Sequence, residues 1–257
     1  MGRYVDIAGH STWTEVLGDG PATVVLLHGG LSNCDDLLGT IGGALSEQFR
    51  VVAFDRRGHG RTSDSDAPFH YQDMTNETIA VVEDVVGGPA HFVGWSDGGI
   101  VSLLVSLHRP DLVTRQVLIG TNYHYDGLRP LEMDPSSSIG PAMKAAYGER
   151  SPDGVEHFEV VRDKSITLFD SEPTLTVTEL RNVRAPTLVM VGDDDLQELG
   201  HTVSLYESLP AGQLAVVPRT SHALPMEAPA EVARLVLAFL TSKEPPETMM
   251  PSRRANR

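Results

Sequence analysis

The stretch that decides the fold reads HFVGWSDGGI and occupies residues 91–100. Its first residues form a short apolar run typical of a buried strand, whereas the residues from Gly98 onward have the apolar spacing of a helix. A strand that turns at once into a helix strains the residue between them and leaves little room beside it, which explains the glycines at Gly94 and Gly98. The segment therefore predicts a tight strand-to-helix turn with Ser96 at its apex.

Strands and helices alternate in both directions from this turn. Buried strands are predicted at residues 23–27, 51–54, 91–94, 116–119, 187–191 and 214–217, and helices at 36–48, 75–86, 98–108, 201–208 and 229–241. This alternation is typical of an α/β fold in which helices flank a mostly parallel sheet. Two further extended pieces, at 4–7 and 12–16, are predicted to form an antiparallel hairpin on the edge of the first buried strand.

The alternation is interrupted at residues 122–183, where helical patterns at 140–147 and 154–169 separate two strands. Ligands of an open parallel sheet bind at the carboxyl ends of its strands, and the insertion leaves the core at such an end. We expect 122–183 to form a small helical cap on a core of residues 1–121 and 184–241; a separate accessory domain is the alternative. The tail, 242–257, is rich in Pro, Met and Arg and is expected to be flexible.

The apex of the turn is the first candidate for chemistry. Ser96 precedes a helix N-terminus, which favours negative charge, but a serine hydroxyl also needs a base within hydrogen-bond reach and a carboxylate that orients the base. Of the ten histidines, His222 lies in the loop between the last strand and the last helix, at the carboxyl edge of the sheet. The strand at 187–191 is followed by carboxylates that compete for the orienting role, Asp193, Asp194 and Asp195.

Several segments resemble the α/β-hydrolase family, and within it the serine esterases and valacyclovirase-like hydrolases. They are residues 26–30, 54–63, 94–99, 185–195 and 221–222. The order Ser, Asp, His is also the family's, and the resemblance spans residues 20 to 240 apart from the insertion. It implies an α/β-hydrolase fold with a mostly parallel eight-stranded sheet. The family's Gly-x-x-Asp pattern implies that Asp195 is the triad acid and Asp193 a neighbour that stabilises the loop.

The resemblance also implies an oxyanion hole made of backbone amides, each of which is worth roughly 10²–10³ in rate. The donors it implies are the amides of Asp97, the residue after the nucleophile, and Gly30, in the loop after the first buried strand. Leu31 is a neighbour that could substitute for Gly30. Leu31 and Trp95 are expected to contact the substrate, and His28 resembles the family's loop-organising histidine.

The side chain of Asp97 is a separate question, because a carboxylate near an oxyanion repels it unless the carboxylate points away or is paired. The string GWSDGG at 94–99 resembles that of valacyclovirase-like hydrolases, in which this acidic residue receives a substrate amine. The same string occurs in esterases without that preference. The alternatives are therefore an amine contact or a carboxylate that is solvated or paired with an arginine.

Composition excludes several classes of function. The 257 residues contain 35 acidic and 20 basic side chains, a net charge of -15, which is the wrong sign for binding nucleic acid or an anionic membrane surface. No apolar stretch approaches the ~20 residues that span a bilayer, and no secretory signal is visible. The single cysteine, Cys34, fits a reducing compartment and is expected to be a small buried residue rather than a nucleophile. We expect a cytoplasmic protein.

Neither a cofactor nor a metal is expected. The sequence Gly58-His59-Gly60 lacks the third glycine of a dinucleotide-binding loop. The aspartates at 193–195 have no Glu or His partner at a convincing ligand spacing. The partner expected for this chain is therefore a small-molecule substrate.

The sequence thus predicts a serine hydrolase that cleaves a carboxylic ester, lactone or thioester through an acyl-enzyme on Ser96, with His222 as base and Asp195 as its orienting acid. One alternative is a C–C bond hydrolase or cofactor-free lyase on the same triad. Another, of a different class, is a small-ligand sensor whose triad turns over slowly or not at all. Substrate identity and oligomeric state are left open.

Overall fold

A sheet of eight strands forms the centre of the fold, in the order β1-β2-β4-β3-β5-β6-β7-β8. The structure, a computed structural model, describes residues 2–129, 139–243 and 248–251. The strands are β1 (Arg3–Ile7), β2 (His10–Leu17), β3 (Thr23–Leu27), β4 (Arg50–Phe54), β5 (Ala90–Trp95), β6 (Val113–Ile119), β7 (Thr187–Asp194) and β8 (Gly212–Ser221). Strands β3 to β8 are parallel, so the predicted mostly parallel, eight-stranded α/β fold is confirmed.

The hairpin of β1 and β2 lies elsewhere than expected. Its strands pair antiparallel to each other, but β2 then pairs with β4 and not with β3, the first buried strand. The expectation of a place beside β3 was wrong because β4, which follows β3 after a helical crossover, already occupies that side of β3. The hairpin therefore pairs with β4, on the edge of β4 that faces away from β3.

Helices cover both faces of the sheet. They are α1 (Cys34–Leu37), α2 (Gly43–Ser46), α3 (Tyr71–Val81), α4 (Asp97–His108), α5 (Ile139–Gly148), α6 (Phe158–Phe169), α7 (Val177–Leu180), α8 (Leu199–Ser208), α9 (Leu224–Glu227) and α10 (Pro229–Thr241). A π-helical segment, Leu38–Gly42, joins α1 to α2, and another, Val82–Val86, extends α3. None of the helices in the described ranges has the length and apolar content to cross a membrane.

Strand β3 shows why the sheet needs both layers. Val25 and Leu27 join a core cluster that includes residues of α3 and α4, whereas Val24 and Leu26 join the cluster on the other face, with residues of α1 and α10. Successive side chains of a strand point to opposite faces, so a continuous apolar run requires cover on both.

Helices α1, α3, α4 and α8 begin earlier than their apolar periodicity predicts, and polar contacts lie at the start of the first two. The helix predicted from residue 36 begins at Cys34, because the Asn33 side chain accepts a hydrogen bond from the Asp35 N–H and caps the first turn. The helix predicted from residue 75 begins at Tyr71, whose buried side chain reaches into the centre of the molecule. The Tyr71 N–H donates to Glu172 Oε2 at 3.0 Å, so a polar contact lies at the start of this helix too, and apolar periodicity does not register such contacts.

The insertion, residues 122–183, contributes α5, α6 and α7 in its described part. Ion pairs join it to the core: Arg150 Nε lies 2.9 Å from Asp35 Oδ2, and Lys164 Nζ lies 2.7 Å from Asp64 Oδ2. The division into core and cap stays a prediction, and residues 130–138 lie outside the described residues. Of the tail, 242–257, only residues 242–243 and 248–251 are described.

Candidate active site

Ser96 lies between β5 and α4 with φ 54° and ψ −120°, a strained backbone conformation for a residue with a side chain. The space around it is small: a Cβ atom on Gly94 would overlap the Gly98 backbone, and one on Gly98 would overlap the Leu27 carbonyl. Gly94 and Gly98, which steric reasoning predicted, therefore lie where β5, the turn and β3 pack against one another. The strain presents Ser96 at the carboxyl end of the sheet.

His222 follows β8 and reaches Ser96. Its Nε2 lies 3.0 Å from Ser96 Oγ, and its Nδ1 lies 2.8 Å from Asp195 Oδ1. Because a carboxylate only accepts hydrogen bonds, the proton sits on Nδ1, and Nε2 is left to accept from the serine hydroxyl. This is the tautomer that a base acting on Ser96 requires.

Of the competing carboxylates, the structure brings Asp195 to His222. Asp195 is buried, and its oxygens also accept from the backbone N–H groups of Gly192 and Gln197. Asp193 is exposed and accepts from the Thr220 N–H at 3.2 Å, a contact that ties the ends of two strands together. Asp194 is exposed as well. Asp195 is thus the carboxylate in contact with His222, and its role as the triad acid stays a prediction.

The predicted oxyanion loop follows β3 and lies against the nucleophile. A Cβ atom on Gly29 would lie 3.4 Å from Ser96 Cβ, and Leu31 adopts a positive φ of 54°. His28 is buried, and its Nε2 accepts from the Arg56 N–H at 3.2 Å. Burial, with the nearby Arg56 charge, lowers the pKa of His28 well below its ordinary value, so this ring stays neutral and supports the loop.

The Asp97 carboxylate is not solvated. Its residue is 4% exposed, and Oδ1 accepts a hydrogen bond from the Tyr71 hydroxyl at 2.9 Å. Burial raises the pKa of Asp97, and the Arg56 charge opposes that shift. The solvated alternative is therefore wrong because α3 and α4 enclose the side chain. Asp97 Oδ2 faces the loop, 2.5 Å from the place of a Cβ on Gly30.

Trp95, predicted to contact substrate, directly precedes Ser96, and Leu31, predicted to do the same, lies in the loop after β3. The Trp95 Nε1–H donates to the His222 carbonyl at 2.8 Å, so this indole also holds the loop that supplies the base. Leu31 packs against the core cluster of α3 and α4. From the insertion, Phe169 reaches the same place, with its ring 2.7 Å from the place of a Cβ on Gly30.

Several residues near the site escaped the sequence analysis. Tyr71 and Arg56 contact it from elements that precede the nucleophile, and Gln197 donates through Nε2 to the Gly120 carbonyl at 3.0 Å. Gly120, with φ 55°, directly follows β6 and lies beside His222. A glycine directly after a buried strand is a signal that could have been used for Gly120; the other three follow from packing, for which the sequence has no pattern.

Two other expectations concern Cys34 and metal ions. Cys34 is 1% exposed, and burial together with Asp55 raises the pKa of its thiol, as expected for a small buried residue. Within the described ranges, no group of three or more His, Cys, Asp or Glu side chains could hold a metal ion.

Comparison with known proteins identifies the family of this chain. A family model described as the alpha/beta hydrolase family matches residues 24–235. RutD of Rhizobium rhizogenes, to which carbamate hydrolysis is ascribed, is 28% identical over 86% of this chain and 94% of that protein. The serine hydrolase BPHL of Homo sapiens is 25% identical over 92% of this chain and 85% of that protein.

A solved structure is similar in fold. The chain matches a serine hydrolase involved in carbazole degradation, the CarC enzyme, with a TM-score of 0.78 and 22% identity, over 93% of this chain and 98% of that one. Nearly the whole architecture is thus shared, while most side chains differ.

Proposed function

The chain belongs to the alpha/beta hydrolase family, and from this premise we propose that it is a serine hydrolase that cleaves a carboxylic ester, lactone or thioester of a small molecule. The observation that supports this function is the continuous contact from Asp195 through His222 to Ser96, at 2.8 Å and 3.0 Å. Nucleophile, base and orienting acid are within hydrogen-bond reach without any rearrangement.

In the proposed reaction His222 Nε2 takes the Ser96 proton while Oγ attacks the substrate carbonyl carbon. The carbonyl electrons move onto oxygen, and the backbone amides of Gly30 and Asp97 stabilise that oxyanion. When the oxyanion collapses, the bond to the leaving alkoxide or thiolate breaks and His222 returns the proton to it. His222 then takes a proton from a water molecule, which attacks the acyl-Ser96 carbonyl and forms a second oxyanion. When that oxyanion collapses, the bond between the acyl carbon and Ser96 Oγ breaks, His222 returns the proton to Oγ, and the carboxylic acid leaves.

The test is a p-nitrophenyl ester series, acetate through decanoate, on the wild type and on Ser96→Ala. Ser106→Ala is the matched control, because Ser106 lies on the same helix, α4, and its buried hydroxyl has no hydrogen-bond partner among the described residues. We expect turnover by the wild type and the control and none by Ser96→Ala. The preferred chain length then measures the acyl pocket.

The test also includes two other classes of substrate, a carbamate and an α-amino ester. A p-nitrophenyl carbamate is added because of the similarity to RutD, and its carbonyl accepts the same serine attack. An α-amino ester tests the alternative in which Asp97 receives a substrate amine. A folded wild type that hydrolyses none of them contradicts the proposal and favours the C–C hydrolase, lyase or sensor alternatives.

A further inference from the structure

Arg56 is a cation inside the protein, 0% exposed, for which the proposed reaction has no use. It stands two residues after the end of β4 and is among the largest fully buried side chains of the described residues. A buried charge is costly unless it is paired and hydrogen-bonded. Next to the predicted oxyanion loop, the Arg56 guanidinium therefore needs hydrogen-bond acceptors within the protein.

The guanidinium binds two successive carbonyl groups of that loop. Nη1 donates to the His28 carbonyl at 2.7 Å, and Nη2 donates to the Gly29 carbonyl at 3.1 Å. A planar guanidinium can span two acceptors in this fixed way, whereas an ammonium group is a single point of contact. Arg56 thus fixes the loop at two adjacent peptide groups.

A second donor acts on the same Gly29 carbonyl. His28 Nε2 accepts from the Arg56 N–H, so the ring proton is on Nδ1, which lies 2.7 Å from Gly29 O and donates to it. The Gly29 oxygen therefore accepts hydrogen bonds from both Arg56 and His28. Arg56 also sets the tautomer of His28, because its backbone N–H donates to Nε2.

Fixing the direction of the Gly29 carbonyl also fixes the direction of the Gly30 N–H. The peptide unit is planar and trans, so the C=O of Gly29 and the N–H of Gly30 point in opposite directions. With the Gly29 oxygen turned toward Arg56 and His28, the Gly30 N–H points away from them. This is the amide proposed as an oxyanion donor.

Charge adds a second effect. Among the charged groups, Asp97 has the strongest opposing effect on Arg56: burial lowers the pKa of Arg56, and the Asp97 carboxylate raises it. Asp97 in turn lies beside Gly30 and directly after the nucleophile. An uncompensated carboxylate there would repel a developing oxyanion, and the Arg56 cation offsets it.

We propose that Arg56 is a positioning residue of the oxyanion hole, which orients the Gly29–Gly30 peptide group and offsets the charge of Asp97. This inference rests on the proposed serine hydrolase function. It predicts that Arg56 acts on the transition state, so that its loss lowers kcat and leaves KM nearly unchanged.

The experiment uses Arg56→Lys, Arg56→Met, Asp97→Asn and the double variant Arg56→Met/Asp97→Asn, assayed on the preferred p-nitrophenyl ester. An alkylboronic acid, which forms a tetrahedral anion on serine, reports on the oxyanion hole by its inhibition constant. Arg115→Lys is the matched control, because the Arg115 guanidinium also donates to two backbone carbonyls, of Phe239 and Ser242, away from Ser96.

In Arg56→Lys, which keeps the charge and loses the two-carbonyl contact, we expect kcat to fall roughly 10-fold or more, with weaker boronate binding in proportion. In Arg56→Met we expect a loss of roughly 10²–10³. Asp97→Asn is expected to restore part of kcat in the Arg56→Met background, since it removes the carboxylate left unpaired. Arg115→Lys is expected to lower the melting temperature but not kcat.

Wild-type kcat and boronate affinity in folded Arg56→Lys overturn the proposal, and so does a rise in KM at unchanged kcat. If Arg56→Met does not fold, Arg56→Lys decides alone. Absence of turnover in the wild type is a different result: it contradicts the serine hydrolase function and, with it, the role of Arg56.

Discussion

The indole Nε1 of Trp95 donates a hydrogen bond of 2.8 Å to the backbone carbonyl of His222, although the two residues are 127 positions apart. The rings lie close as well, with centroids 5.8 Å apart. The residue before the nucleophile therefore holds the loop that supplies the base. This contact between β5 and the segment after β8 contributes to the spacing between nucleophile and base.

Trp95→Phe tests that dependence. We expect kcat to fall about 3- to 10-fold, because a neutral hydrogen bond contributes roughly 0.5–1.5 kcal/mol and about 1.4 kcal/mol is tenfold in rate. Steady-state kinetics on the preferred ester separates kcat from KM. Trp13→Phe is the control, since Trp13 Nε1 is buried without a hydrogen-bond partner among the described residues. A change confined to KM would instead show that Trp95 contacts substrate and does not position His222.

Asp195→Asn is expected to lower kcat by about 10⁴, because an amide facing His222 Nδ1 no longer holds the ring in the tautomer that accepts the serine proton. Asp194→Asn, an exposed neighbour in the same run, is expected to stay within about twofold of wild type. The measurement is kcat on the preferred ester for both variants. Equal losses in the two variants would contradict the assignment of the acid to Asp195.

Gly120→Ala is expected to damage the site through a single methyl group. Its Cβ would lie 3.0 Å from His222 Nδ1 and 3.4 Å from Asp195 Oδ2, so the His222–Asp195 contact must shift. Gly87→Ala is the matched control: φ is 82° there, against 55° at Gly120, but no atom lies within 4 Å of the added Cβ.

Both alanine variants are expected to lose roughly 1–2 kcal/mol of stability from the left-handed backbone. Only Gly120→Ala is expected to lose activity as well, by at least tenfold in kcat. Urea unfolding and ester kinetics on both proteins measure the two effects separately. Full activity in Gly120→Ala would mean that the His222–Asp195 contact tolerates displacement and does not depend on the tight packing at Gly120.

Glu77 makes stability depend on pH. Burial raises its pKa to about 7 from an ordinary 4.5. Between pH 4.5 and about 7 the folded state keeps a proton that the unfolded state has lost. The contribution of Glu77 to the free energy of unfolding is therefore fully present below pH 4.5 and is lost as the pH rises through about 7. Glu77→Gln is expected to be more stable than wild type above pH 7 and equal to it below pH 4.5.

The urea midpoints of wild type and Glu77→Gln, compared at either end of that range, measure the effect. Asp73→Asn is the control, because Asp73 is an exposed carboxylate on the same helix, α3. A constant difference between wild type and Glu77→Gln at all pH values would exclude Glu77 as the source of the pH dependence.

Much of the fold and part of the site could be predicted from the chain itself. Apolar runs predict the buried strands, and the glycines around Ser96 predict the turn, because local sterics and burial act on neighbouring residues. The order of Ser96, Asp195 and His222 follows from the family resemblance. The place of the hairpin was missed, since edge pairing depends on which strand already has a neighbour.

What the sequence determined by itself was the strands, the longer helices, the strained turn and the short list of candidate groups, all of which depend on residues near one another in the chain. Only the tertiary structure decided that Asp195 rather than its neighbours contacts His222, and that Arg56 and Asp97 both lie against the loop of residues 28–30. These relations depend on distance and direction between elements far apart in sequence. Packing sets them, and no local pattern records it.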